Sequence, residues 1–167
     1  MSEKMDYLKN RLTKSRAHLD FILDQVGDRW DIQIYADGAA WTTKQLLIHL
    51  ADADRGQSNL VMNIAKGENP IPEDFDINRY NQRSVEKRAD MTVEQARAAL
   101  NDNRASFLLW LDSIDNDTLE TTLAMSGRHA SLQILTIEQI IKVMSNHERG
   151  HADDIAKVLN IAPAIAQ

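Results

Sequence analysis

No cysteine occurs in the 167 residues, and that absence excludes disulfide bonds, thiolate metal sites and a cysteine nucleophile together. It also accords with a reducing compartment. No uncharged apolar run approaches the roughly 18 residues that a membrane span needs. The N-terminal stretch MSEKMDYLKNRLTKSRAHLDF is charged throughout and has no apolar core, so no signal peptide is expected. Positive charge is in deficit: 19 Lys and Arg stand against 25 Asp and Glu, a formal net charge of -6. A nucleic-acid binder needs a basic patch to displace phosphate counterions. The longest basic cluster, Arg79, Arg83, Lys87 and Arg88, is interleaved with acids and polar residues, and reads as a solvated helix face. The expectation is a soluble cytoplasmic protein with no direct nucleic-acid partner and no membrane partner.

Proline and glycine are scarce as well, at 3 and 6 residues, and they cluster between long segments of helical periodicity. Apolar spacing predicts four such segments. The first runs from about Glu3 to Val26, with Leu8, Leu12, Leu19 and Ile22 on one face and Gly27 as its stop. The second opens after Trp41 with Thr42 or Thr43 as N-cap, carries Leu46, Leu50, Ala53, Leu60 and Ile64, and ends at Gly67. The third starts at a capping box, Thr92 with Gln95, and continues to about Ile114. The fourth begins near Thr136 and fades before Pro163. Between the second and third, DFDINRYNQRSVEKRAD predicts a shorter helix that crosses the bundle; between the third and fourth, LETTLAMSGRHASLQIL predicts a small hairpin or an irregular loop. With no internal repeat and no low-complexity tract, residues 1–167 read as one all-α domain. Four long helices with long crossover connections make it a four-helix bundle.

Histidine is where the pattern becomes chemical. His147 and His151 lie four residues apart, which brings their side chains to one helix face, one turn apart. At about 100° per residue, Ile137, Ile140, Ile141, Met144, Ile155 and Val158 form one stripe, with His151 inside it and His147 at its edge. In the second segment His49 lies beside the inner stripe. Imidazoles turned toward a core need partners, because an unpaired buried polar group is costly. A core histidine bonded to a carbonyl or an acid is one solution; a shared metal ion is another, since neutral imidazole is the commonest protein ligand. Two histidines at chelate spacing and a third on a second helix favour the metal. Three protein ligands also leave a coordination position for water or substrate, as catalytic sites do. His18, among charged residues, and His129, after Gly127, read as exposed.

The stretch His147-Glu148-Arg149-Gly150-His151 also matches the H-E-x-x-H of metalloproteases, in which the glutamate is the general base. A metzincin would need Gly where Asp154 stands and His where Lys157 stands. A glutamate ligand from a following helix has too little chain left to come from, so His49 is the better third ligand. Glu148 falls in the apolar stripe. It is a candidate catalytic acid or base, or a partner for a buried arginine, and the sequence leaves both open. Asp52, one turn after His49, and Asp153 are candidates to orient imidazoles through their second ring nitrogen, or are solvated helix acids.

The run WTTKQLLIHLADADR from Trp41 to Arg55, followed far downstream by HERGHADDI, resembles the DinB superfamily with its YfiT-like members; DFDI, Asn81 and TVEQARAALNDNRASFLLWLDSI fit it in order and spacing. The resemblance implies a four-helix bundle, often a homodimer, that binds zinc or nickel through His49, His147 and His151. It implies a transferase using a low-molecular-weight thiol as cosubstrate, or a hydrolase, acting on a small-molecule substrate. An ion held by three neutral imidazoles keeps its charge and acidifies a bound water or thiol, which suits either reaction. Two rivals stand beside the enzyme: a non-catalytic bundle that binds metal and sequesters a ligand, and a metal-free scaffold dimerising through exposed apolar surface, for which Trp30, Trp41 and Trp110 are candidates although all three read first as core or helix-end packing residues.

Overall fold

The tetrad Thr-x-x-Gln occurs three times where a long helix begins. At Thr42/Gln45, Thr92/Gln95 and Thr136/Gln139 the threonine hydroxyl accepts the glutamine backbone N–H, and the glutamine side chain accepts the threonine N–H in return. Each box satisfies two of the donors that a helix start leaves unpaired. The computed structural model describes residues 3–122 and 135–162. In it the boxes open α2 (Thr43–Ala65), α4 (Val93–Leu111) and α5 (Ile137–Leu159), alongside α1 (Glu3–Leu23) and the shorter α3 (Ile77–Lys87). Asp76 caps α3 by accepting the Arg79 N–H. At the other ends, Gly67 takes φ 78° after α2, and Asn160 takes φ 52° after α5, the left-handed conformation that glycine and asparagine tolerate best.

Two helices stop earlier than their periodicity predicts. α1 ends at Leu23 rather than Val26, and α4 at Leu111 rather than Ile114. The N–H groups of Gln25, Val26 and Ser113 bond three residues back instead of four, so these final turns tighten out of α geometry while Val26 stays buried. The segment 123–134, which includes His129 and the expected hairpin or loop, lies outside the described residues. Its flanks Thr122 and Thr136 form an isolated antiparallel bridge.

α1 packs chiefly on α5, and α2 packs on both α4 and α5. The result is a four-helix bundle in which the connections α1–α2 and α4–α5 carry the chain across. α3 packs on α2 and does not cross the bundle as expected. The reason is its composition: only Ser84 and Val85 are buried, and Ile77 and Tyr80 remain exposed, too little apolar surface for a place in the core. One more expectation fails at the end of α5, where Val158 is exposed although the winding put it in the inner stripe.

The core divides into two apolar clusters. One surrounds Leu19, Leu46, Leu50, Leu100 and Ile155; the other surrounds Leu8, Val61, Phe107, Leu111 and Ile141. Between them lies a polar layer to which each long helix gives one charged residue: Arg16, Asp54, Arg104 and Glu148, all 7% exposed or less. Arg16 Nε donates to Glu148 at 2.5 Å, and Arg104 Nη2 donates to Asp54 at 2.6 Å and to Glu148 at 3.1 Å. This layer lies directly behind the histidines, since Glu148 follows His147 in sequence.

Candidate metal centre

His49 enters from α2 and His147 and His151 from successive turns of α5. His147 Nε2 stands 3.3 Å from His49 Nε2 and 3.1 Å from His151 Nε2. Three Nε2 atoms thus point at one small volume. A single proton can relieve only one such contact, whereas one cation satisfies all three lone pairs. Nitrogens about 2.0–2.1 Å from a tetrahedral zinc are roughly 3.3–3.4 Å apart, close to these two separations, and all three ligand atoms lie within 4.8 Å of one another. Among the described residues this is the group of His, Asp and Glu side chains that could hold a metal ion.

The supporting contacts agree with that geometry. Tyr35 lies in the loop between α1 and α2; its hydroxyl donates to Asp154 Oδ2 at 2.8 Å and lies 2.6 Å from His151 Nδ1. With its own proton on Asp154, Tyr35 accepts from Nδ1–H, which fixes the His151 tautomer and leaves Nε2 as a lone pair toward the other imidazoles. Trp41 packs against His49, the rings tilted by 33° with centroids 4.6 Å apart, and restricts the imidazole's rotation. Burial is the main influence on all three imidazoles, and it disfavours their charged forms. His49 is pushed down to about 3 by burial and then by His147 and His151, with Asp52 opposing. His151 is pushed down to about 4 by burial and His147, with Asp154 opposing. His147 is also lowered by burial, against the charges of Glu148 and Asp54. The three rings are therefore neutral, and ready as ligands, at physiological pH.

The neighbouring acids are engaged in ion pairs and hydrogen bonds. Glu148 is held by Arg16, Arg104 and the Ser15 hydroxyl. Both its oxygens face the polar layer, so the buried-arginine partner expected as one of its two readings is present. Asp52 corrects the expectation of a solvated acid: it is 5% exposed and bonded by Ser84, Arg55 and Arg88. Burial works against its charge, yet the donors Ser84 and Arg55 and the Arg88 cation hold its carboxyl below the usual range. These contacts tie α3 to α2. Asp153 is exposed and pairs with His18, 2.7 Å away. None of the three tryptophans is an exposed patch. Trp41 is buried, and Trp30 and Trp110 are half-buried against the core.

Two depressions lie near the site. One, of about 540 Å³, runs from His49 and His147 along α2. The other, of about 430 Å³, lies beyond Phe75 and Tyr80, against the basic face of α3.

A family model described as the DinB superfamily matches residues 11–155. The chain belongs to the DinB superfamily. Solved structures place its fold alongside two others. One is YfiT from Bacillus subtilis, described as a probable metal-dependent hydrolase with an unusual four-helix bundle topology. It superposes with a TM-score of 0.73 at 16% identity, over 97% of this chain and 91% of YfiT. The second is an uncharacterized protein from Clostridium difficile 630, with a TM-score of 0.71 at 17% identity, over 97% of this chain and 99% of that one. At such identities the likeness is one of fold. No curated protein matches the chain in sequence.

Sequence reasoning missed Tyr35 and the role of Asp154. Asp154 had a faint signal, three residues after His151 and so on the same helix face. Tyr35 had none, because it meets His151 from a loop 116 residues away.

Proposed function

We propose that this DinB-superfamily chain is a metal-dependent enzyme acting on a small molecule, with His49, His147 and His151 holding one divalent ion, zinc or nickel. The observation that carries the reading is the convergence of three Nε2 atoms at ligand spacing. Such an ion, when bound, supplies a Lewis acid that polarises an oxygen or sulfur donor. Tyr35 and Asp154 orient His151, Trp41 orients His49, and the polar layer behind His147 anchors α5 to α1 and α4.

Hydrolysis is the first reading of the reaction. The fold likeness to YfiT, itself described as a probable metal-dependent hydrolase, supports it. Transfer with a low-molecular-weight thiol cosubstrate is the second reading and rests on the family resemblance. A panel of esters, amides and electrophiles, assayed with and without thiol and chelator, separates the two. Hydrolysis predicts turnover without thiol that chelator abolishes, and thiol-dependent turnover alone would sink it. Substituting His49 by Ala separates the enzyme from a bundle that only stores metal: the enzyme keeps its fold and loses turnover. A metal-free scaffold would lose neither.

A further inference from the structure

The face of α2 that begins at His49 continues with Ala53, Gly56 and Leu60, at intervals of four, three and four residues. Side chains at such intervals share one helix face. Two of them are small, which leaves room beside the imidazole. The facing wall is made by Ile71, Phe75 and Tyr80, and the space enclosed is the cavity of about 540 Å³ bordered by His49 and His147. Its size is that of sites for small organic ligands.

No Asp, Glu, Lys or Arg lines this cavity. Its polar groups are neutral: the amides of Gln57, Asn59, Asn63 and Asn81 and the Tyr80 hydroxyl, with the imidazoles at one end. Away from an ion at the imidazoles, a charged group lying along these walls would exchange water for surroundings without a counter-charge, which is costly. A neutral ligand loses little and gains contact with apolar walls, while the amides offer both donors and acceptors. Charge is available close by but kept out. Arg79, Arg83 and Lys87 line the separate depression on the far side of Tyr80.

We propose that the cavity selects an organic substrate whose body is neutral and apolar, its reacting group turned toward His49 and His147. The word substrate rests on the metal-dependent reading above; the selection for neutral ligands does not. Gly56 is the point at which to test it. A Cβ there meets only the Tyr80 hydroxyl, at 3.9 Å, so the helix accepts a larger residue whose bulk enters the cavity.

The experiment is a fluorescence titration of the full metal-free chain at neutral pH with N-phenyl-1-naphthylamine, which is neutral, and with 8-anilino-1-naphthalenesulfonate, the same ring system bearing a sulfonate. The neutral probe should bind at least tenfold more tightly. Gly56→Leu, and separately Ala53→Leu, should each weaken it tenfold or more while circular dichroism, and zinc uptake in a parallel sample, stay unchanged. Gly56→Ala serves if Gly56→Leu fails to fold, with a smaller loss in the same direction. Equal affinity for the two probes, or neutral binding that survives the cavity-filling substitutions in folded protein, overturns the proposal. Elemental analysis of parallel zinc-treated samples keeps the two readings apart. Zinc bound without probe selectivity removes the cavity proposal alone; probe selectivity in protein that takes up no zinc removes the metal reading alone.

Discussion

Tyr35 and Asp154 act on the site through a ring they do not share with substrate. If their hydrogen bonds hold the His151 tautomer, Tyr35→Phe should lower zinc affinity by roughly 10- to 100-fold while leaving the thermal midpoint of the metal-free protein nearly unchanged. Competition titration against a chelating dye reads this directly, and an unaltered affinity would show that the relay is idle. The imidazoles also make a pH prediction for the metal-free protein. Their folded values, about 3 for His49 and about 4 for His151, lie below the unfolded value near 6.5. Below pH 6.5 the unfolded chain therefore binds more protons than the folded one, and stability falls as pH drops from 6.5 toward 4. By pH 5 the loss is roughly 2 kcal/mol for each of these two rings. Denaturant midpoints at pH 7.5 and pH 5 should show this loss, and His151→Gln should remove part of it. A pH slope identical in the variant would contradict the assignment.

At the scale of helices, the polar layer decides how α5 sits. Glu148 is buried between two arginines from α1 and α4, and removing one member of such a cluster strands the others. Glu148→Ala should cost about 3–5 kcal/mol in chemical denaturation. Glu148→Gln keeps the shape and should cost less; equal, negligible losses would mean that the layer is slack. The capping boxes are smaller contributors, and Thr136→Ala should cost about 1 kcal/mol. Elements were also the most legible part of the sequence. Thr92 with Gln95 announced its helix, and the same tetrad at Thr42 and Thr136 set the starts of α2 and α5, because caps and apolar periods are local. The depth of Glu148 was legible in its place in the apolar stripe, but its partner was not. Arg16 and Arg104 are 132 and 44 residues away, and no local spacing joins them. The placement of α3 failed for a related reason: its position is set by Asp52 meeting Ser84 and Arg88, not by an apolar face of its own.

At the scale of the molecule, the bundle brings one histidine from α2 and two from α5 to the same point, and it leaves a cavity beside them. The histidine pattern was readable because H-x-x-x-H is local and His49 lay beside an inner stripe. That the three nitrogens meet depends on how α2 and α5 pack, which the sequence only implied. An ion that binds the folded chain alone must stabilise it, so saturating zinc should raise the melting temperature, more at higher free metal. The chain's membership of the DinB superfamily and its likeness in fold to YfiT support the same assembly of helices. The central claim is that this assembly is a three-imidazole metal site. Calorimetric titration of the metal-free chain and its His49→Ala variant with zinc at neutral pH tests it most directly. The account predicts one ion per chain, with affinity falling by at least two orders of magnitude in the variant. Absence of zinc binding, or binding undiminished without His49, would contradict it.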